Sequence, residues 1–170
     1  MSGRDDVLVR SQIGRAPRRP WRVAVRCRFG YPQVIATPSV LEDGSPFPTL
    51  YWLTCPYLAR AASDQESAGG VAREAGVLAA DRALATAMRA ADAVYRTRRA
   101  EESGGSDACE DVGIAGQRDP LATKCLHAHA AAALAGVVDP VGRRVLRPCG
   151  ACCEDDECAA LRHPRPWGAR

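Results

Sequence analysis

An α+β fold, a small three-stranded antiparallel sheet covered by several helices, is what this sequence predicts, and three observations predict it. Short apolar runs of strand length lie in succession between Trp21 and Leu53, with tight turns between them. An alanine-rich stretch from Pro56 to Arg99 follows, in which Val77, Leu84, Met88, Ala91 and Tyr95 recur at helical spacing. A sheet this small is not stable alone, so the helices must cover one of its faces.

In chain order, Asp5 and Asp6 cap a short helix over Val7 to Ile13, which Gly14 ends. Trp21 to Phe29 alternates, placing Trp21, Val23, Val25 and Cys27 inward and Arg22, Ala24, Arg26 and Arg28 on the other face. Gly30, Tyr31 and Pro32 turn the chain into a second strand, Gln33 to Thr37, as a hairpin. Glu42 to Pro48 is another turn and leads into the strand Leu50 to Leu53, which Thr54, Cys55 and Pro56 close. Proline suits a first helical position because it has no amide hydrogen to leave unpaired, so a helix runs from Pro56 to about Ser67.

Helix resumes from Val71 to Arg99, with Gly76 as the dividing point. Seven arginines and seven acids balance between Arg60 and Glu102, the pattern of a solvated helix face. Glu101 to Gln117 has the glycine, serine and acid content of a linker. Asp119 and Pro120 start a helix from Leu121 to about Ala135, ended by Gly136. Beyond Asp139 the chain is turn-rich, with Val145 and Leu146 docking on the core. The expected division is one α+β domain over 1–146, with a flexible insertion at about 101–118, and a cysteine-rich tail over 147–170 with the composition of a disordered end.

Composition narrows the function classes. At 170 residues and 46% apolar the chain supports one ordinary core. Its net charge is only +3, and 22 of its 23 basic residues are arginine, Lys124 being the sole lysine. That bias points to a GC-rich genome more than to a binding surface. The N-terminus MSGRDDVLVRSQIGRAPRR lacks the apolar core of a secretory signal, and no run approaches the roughly 18–20 apolar residues of a membrane span. The expected compartment is the cytoplasm. There, eight cysteines are more often metal-binding, catalytic or buried than paired as disulfides.

The first constellation is Cys27, Cys55 and Cys125 with His127 or His129. Three thiolates and an imidazole suit tetrahedral zinc, and three thiolates with a different fourth ligand suit an iron–sulfur cluster. Helical spacing puts Cys125 and His129 on one face and favours His129. Cys55 is also a candidate nucleophile, because a helix entrance favours a thiolate, with either histidine as its base. The bland alternative is that these are buried cysteines acting as small apolar residues. A second constellation, Cys149, Cys152, Cys153 and Cys158 near His163, has zinc-like spacing. Third, Arg15, Arg18, Arg19 and Arg22, with Arg26 and Arg28 beyond them, offer an anion-binding face for an acidic protein, a phosphate-rich ligand or a polyanion. No glycine-rich nucleotide loop, recognition helix or aromatic platform accompanies them, which argues against sequence-specific nucleic-acid binding.

Four landmarks, GRAPR at Gly14 to Arg18, the Arg26–Cys27 turn with Gly30 and Pro32, PFPTLYWLTCP at Pro46 to Pro56 and KCLHAH at Lys124 to His129, resemble the bacterial family of domain of unknown function 501. The likeness covers roughly Asp5 to Leu146. It implies no defined activity. Genes of the family lie near those for a septum-formation protein, enolase and an exopolyphosphatase, which implies a cytosolic partner or a phosphate-rich ligand. The resemblance also implies that Cys27, Cys55, Cys125 and His127 share a site, which sets His127 against the His129 that spacing prefers. A further histidine that the family pattern carries near Ala132 is absent from this chain.

Overall fold

The computed structural model describes residues 3–162. His163 and the residues after it, the end of the expected tail, lie outside the described residues. A helix α1 (Gly3–Ile13) precedes three strands, β1 (Arg22–Arg26), β2 (Pro32–Ala36) and β3 (Tyr51–Leu53), and with six α-helices among the described residues the chain follows the expected α+β plan. The others are α2 (Pro56–Ser67), α3 (Gly70–Ala80), α4 (Arg82–Glu102), α5 (Leu126–Leu134) and α6 (Pro140–Leu146).

The sheet is antiparallel in the order β1-β2-β3, with Arg22 opposite Ala36 and Val34 opposite Leu53. Every residue of the central strand β2 is buried. The loose alternation expected along β1 is broken where the register shifts on either side of Val25. A bulge of this kind re-aims side chains. Val23 packs with Val9, Trp21 and Ile35, whereas Val25 and its neighbour Ala24 pack against the main core. Past the strand, the Cys27 amide donates to the Tyr31 carbonyl at 3.0 Å and Gly30 turns with φ of +82°, a conformation that suits glycine.

The main core gathers Leu50, Leu53, Leu58, Met88, Tyr95, Ile114, Leu126 and Val141 around α5. α5 is short and alanine-rich, so β3, α2 and α6 all approach it closely. At Gly142 a β-carbon would fall 2.1 Å from the His129 carbonyl oxygen, so only glycine lets α6 lie where it does. Four expected boundaries move. α1 begins at Gly3 rather than Val7, with Asp5 and Asp6 inside its first turn. The break between α3 and α4 falls at Asp81, whose Oδ1 accepts from the amides of Ala83 (2.8 Å) and Leu84 (3.1 Å), and Gly76 lies within α3. Asp119 Oδ1 accepts from the Leu121 amide and makes a local turn, while Cys125 remains extended, so the helix begins at Leu126. The turn-rich segment after Asp139 contains α6, capped by Asp139 Oδ1 on the Gly142 amide at 2.9 Å.

The balanced charges of α4 are not all solvated. Arg99 is 0% exposed. Its guanidinium meets the Asp107 carboxylate at 2.9 Å and donates to the carbonyls of Pro48 (2.8 Å), Cys109 (2.6 Å) and Val112 (2.5 Å). Arg99 thereby ties the segment after α4 to the body, and that segment also buries Cys109 and Ile114. A buried guanidinium is tolerable only with this full set of acceptors.

Candidate functional site

The sequence-predicted cysteines do not form one site. Cys125 and His127 come together at the entrance of α5, and the third member of that group is Glu66, from the last turn of α2. The donor atoms of Glu66, Cys125 and His127 lie within 4.8 Å of one another. His127 Nδ1 is 3.1 Å from Glu66 Oε1 and 3.9 Å from Cys125 Sγ. On the far side of the ring, Nε2 is 3.0 Å from the Ala59 carbonyl oxygen and 3.2 Å from Ser63 Oγ. A carbonyl only accepts, so Nε2 carries a proton and donates it to Ala59. Nδ1 is then the variable atom, and it holds either a second proton or a lone pair directed between the sulfur and the carboxylate.

Local sequence explains the arrangement. Ala59, Ser63 and Glu66 are spaced four and three apart, so they share the face of α2 that looks onto the start of α5. Glu66 Oε1 also accepts from the Leu126 amide at 2.6 Å, which caps α5 from outside and fixes the carboxylate. The Cys125 sulfur first, then the Glu66 carboxylate, pushes the His127 pKa up to about 9 against the effect of burial. All three side chains are half-buried, and Cys125 and His127 border an open pocket of about 420 Å³, within the usual range for small-molecule sites. Tyr51, Trp52 and Leu53 line that pocket along with Lys124, Cys125 and His127.

His129 goes elsewhere. It is buried, with Nδ1 2.7 Å from Asp139 Oδ2, and so couples α5 to the cap of α6. The spacing argument that favoured it assumed Cys125 was helical, and Cys125 instead has extended φ and ψ of −144° and 113°.

Cys27 and Cys55 border a different and much smaller cavity, and three residues of the second constellation join them there: Cys152, Cys153 and Cys158. Cys149 stays outside that lining, its sulfur 3.6 Å from the Val145 and Leu146 carbonyls. Its place at a helix entrance makes Cys55 a candidate activated thiol as well as a candidate ligand. Burial, and then the neighbouring Cys158 and Cys153, instead push its pKa up to about 11, although the Leu58 and Tyr57 amides act in the opposite sense. At 5% exposed it is poorly placed for attack on a substrate.

The arginines are largely committed to other contacts. Arg19 pairs with Asp6, Arg22 with Glu102, and Arg26 grips Asp5 through two bonds of 2.9 and 2.8 Å. Arg15 and Arg18 lie over Trp52 (4.9 Å) and Phe47 (5.9 Å), two rings that stack on each other. Arg28 donates to the Cys153 carbonyl at 2.9 Å. No helix among the described residues is long and apolar enough to cross a membrane.

Sequence reasoning missed Glu66. Its signal was the shared helical face with Ala59 and Ser63, which marks a partner only once α5 is known to lie across it. Searches find no curated protein and no solved structure that matches the chain. Residues 23–147 match the family described as "Protein of unknown function (DUF501)", a span that includes Cys27, Cys55, Glu66, Cys125 and His127 and ends before Cys149. With well over half its length matched, the chain belongs to that family.

Proposed function

We propose that this is a cytoplasmic zinc-type metalloprotein that holds a divalent ion through His127 Nδ1, Cys125 Sγ and Glu66 Oε1, with a fourth position open to the adjoining pocket. The observation that carries the reading is the division of labour on the His127 ring. Nε2 is engaged with a backbone carbonyl at 3.0 Å, and the opposite nitrogen faces both other donors. Metal-ligating histidines characteristically donate their other N–H in this way. Three protein ligands of N, S and O type with one free position are the pattern of a zinc that acts on a substrate, polarising a bound water or carbonyl.

The arrangement favours a metal over a thiol nucleophile. In a thiol–imidazole–carboxylate triad the acid orients the ring through the nitrogen opposite the thiol. Here Glu66 and Cys125 approach the same nitrogen. Lys124 on the pocket lining suits a small substrate with an anionic group, and the Tyr51 and Trp52 rings supply apolar wall. The test is a zinc titration of the metal-free chain followed by elemental analysis. Saturable binding that falls by about one equivalent per chain in both Cys125→Ala and His127→Ala supports the reading. Undiminished binding in both variants overturns it.

A further inference from the structure

We infer that the cavity between β1, α2 and the cysteine-rich segment is a second, closed metal site, in which Cys27, Cys55, Cys153 and Cys158 hold one zinc ion. This site shares no ligand with the one at Cys125 and does not depend on it. Five cysteines, from the turn after β1, the start of α2 and residues 152–158, line a single cavity of about 10 Å³. That is close to the least volume that holds one water. It suits a single ion, and a four-iron cluster would have to force it open.

Burial marks three of the four ligands. Cys55, Cys153 and Cys158 are 5%, 5% and 6% exposed. Cys27, half-buried, begins the β1–β2 turn and packs against the same cluster as Cys158. Cys152 is half-buried, adjacent to Cys153, and its sulfur is faced by the Arg28 amide. Of this pair the buried Cys153 is the ligand, and the Cys152 side chain lies beside it.

The surroundings are those of metal-bound thiolates. Gln12 Nε2 donates to Cys158 Sγ at 3.6 Å, and the Leu58 and Tyr57 amides face Cys55 at the head of α2. Gln33 Nε2 donates to the Ala151 carbonyl (2.5 Å), Tyr57 Oη to the Cys149 carbonyl (3.0 Å) and Arg28 to the Cys153 carbonyl (2.9 Å), so the body of the fold positions the cysteine-rich backbone. Among the described residues no three of these thiols lie within 4.8 Å of one another. Zinc–sulfur bonds of about 2.3 Å imply sulfurs roughly 3.8 Å apart, so binding draws them inward. Four S–H bonds are exchanged for four Zn–S bonds, and the four protons leave to solvent. Four protein thiols complete the coordination of the ion, and the role of the site is to fasten residues 151–162 over the end of the sheet.

The experiment uses the full chain, prepared without oxygen in zinc-containing medium, with zinc and iron measured per chain. In the Cys125→Ala/His127→Ala background, which removes the other site, about one zinc remains. Adding Cys55→Ser or Cys158→Ser abolishes it, and adding Cys152→Ser leaves it in place. Absence of zinc from that background overturns the inference, as does zinc that survives Cys55→Ser and Cys158→Ser, or iron with labile sulfide at these thiols. Should the serine variants fail to fold, differential alkylation of the unaltered chain decides the matter. Zinc shields the peptides carrying Cys27, Cys55, Cys153 and Cys158 from iodoacetamide, and chelation exposes them. Equal labelling with and without zinc, or disulfides among these residues, contradicts it.

Discussion

Cys55 and Cys125 both stand at the N-cap of a helix, both have extended backbone angles, and neither side chain caps its helix with a hydrogen bond. Their surroundings separate them. Cys55 faces other thiols in a cavity of about 10 Å³, whereas Cys125 faces an imidazole and a carboxylate beside a pocket of about 420 Å³. The helix dipole is common to both and decides neither. Enclosure among thiols fits a role in holding the chain together, and the mixed donor set beside open space fits chemistry on a substrate.

The largest effects are expected from removing single ligands. A structural zinc site is worth about 10–16 kcal/mol in all, so losing one of four ligands costs roughly 10²–10³-fold in affinity. Cys55→Ser is therefore expected to release its zinc and raise amide exchange across residues 151–162, while the pocket beside Cys125 keeps its exchange pattern. Cys125→Ser is expected to weaken only the open site, by a similar factor, with exchange near Cys158 unchanged. Hydrogen-exchange mass spectrometry separates the two. Exchange that rises at both sites in either variant would show that they are one cooperative unit.

Glu66→Gln is a gentler probe. It keeps an oxygen for the Leu126 amide and removes the charge, so zinc affinity at the open site should fall about 10-fold, the neutral amide oxygen remaining as a weaker ligand. Protons compete at the same place. In the metal-free chain the His127 pKa is raised from 6.5 to about 9 by its Cys125 and Glu66 contacts. The stabilisation from those contacts is thus fully present below about pH 6.5 and is lost as pH rises through about 9. Zinc affinity moves in the opposite direction and increases over the same window as the proton leaves Nδ1. Denaturation and zinc titrations from pH 6 to 10 test both signs, and His127→Ala should flatten both curves.

The smallest effect is a rate. With a pKa near 11, Cys55 is ionised to roughly one part in a thousand at pH 8, so in metal-free chain it should be alkylated after the half-exposed Cys125. Peptide mapping over time gives the order.

Much of the fold was legible because its signals are local. The limits of α2 follow from Cys55–Pro56 and the apolar strand before it, and the hairpin follows from Gly30 and its neighbours. What periodicity misread were residues whose environment is set from a distance. Arg99 looks like one more surface arginine until Asp107 and three carbonyls surround it. The bulge at Val25 depends on how β1 pairs with β2, which no pattern within β1 records.

The site was legible in its residue types and not in its grouping. Cys27, Cys55, Cys125 and His127 stood out one by one, but which thiol meets which is decided by the packing of α5 across α2 and by the return of residues 151–162 to the β1–β2 turn. A choice between His127 and His129 from helical spacing failed for a specific reason: the helix starts one residue after Cys125.

The most direct test of the account is zinc-edge X-ray absorption on the Cys55→Ser/Cys158→Ser chain, in which the closed site has been removed. The account predicts one zinc per chain with a single sulfur neighbour at about 2.3 Å and nitrogen or oxygen neighbours at roughly 2.0–2.2 Å. A chain that holds no zinc, or a zinc surrounded by sulfur alone, would contradict it.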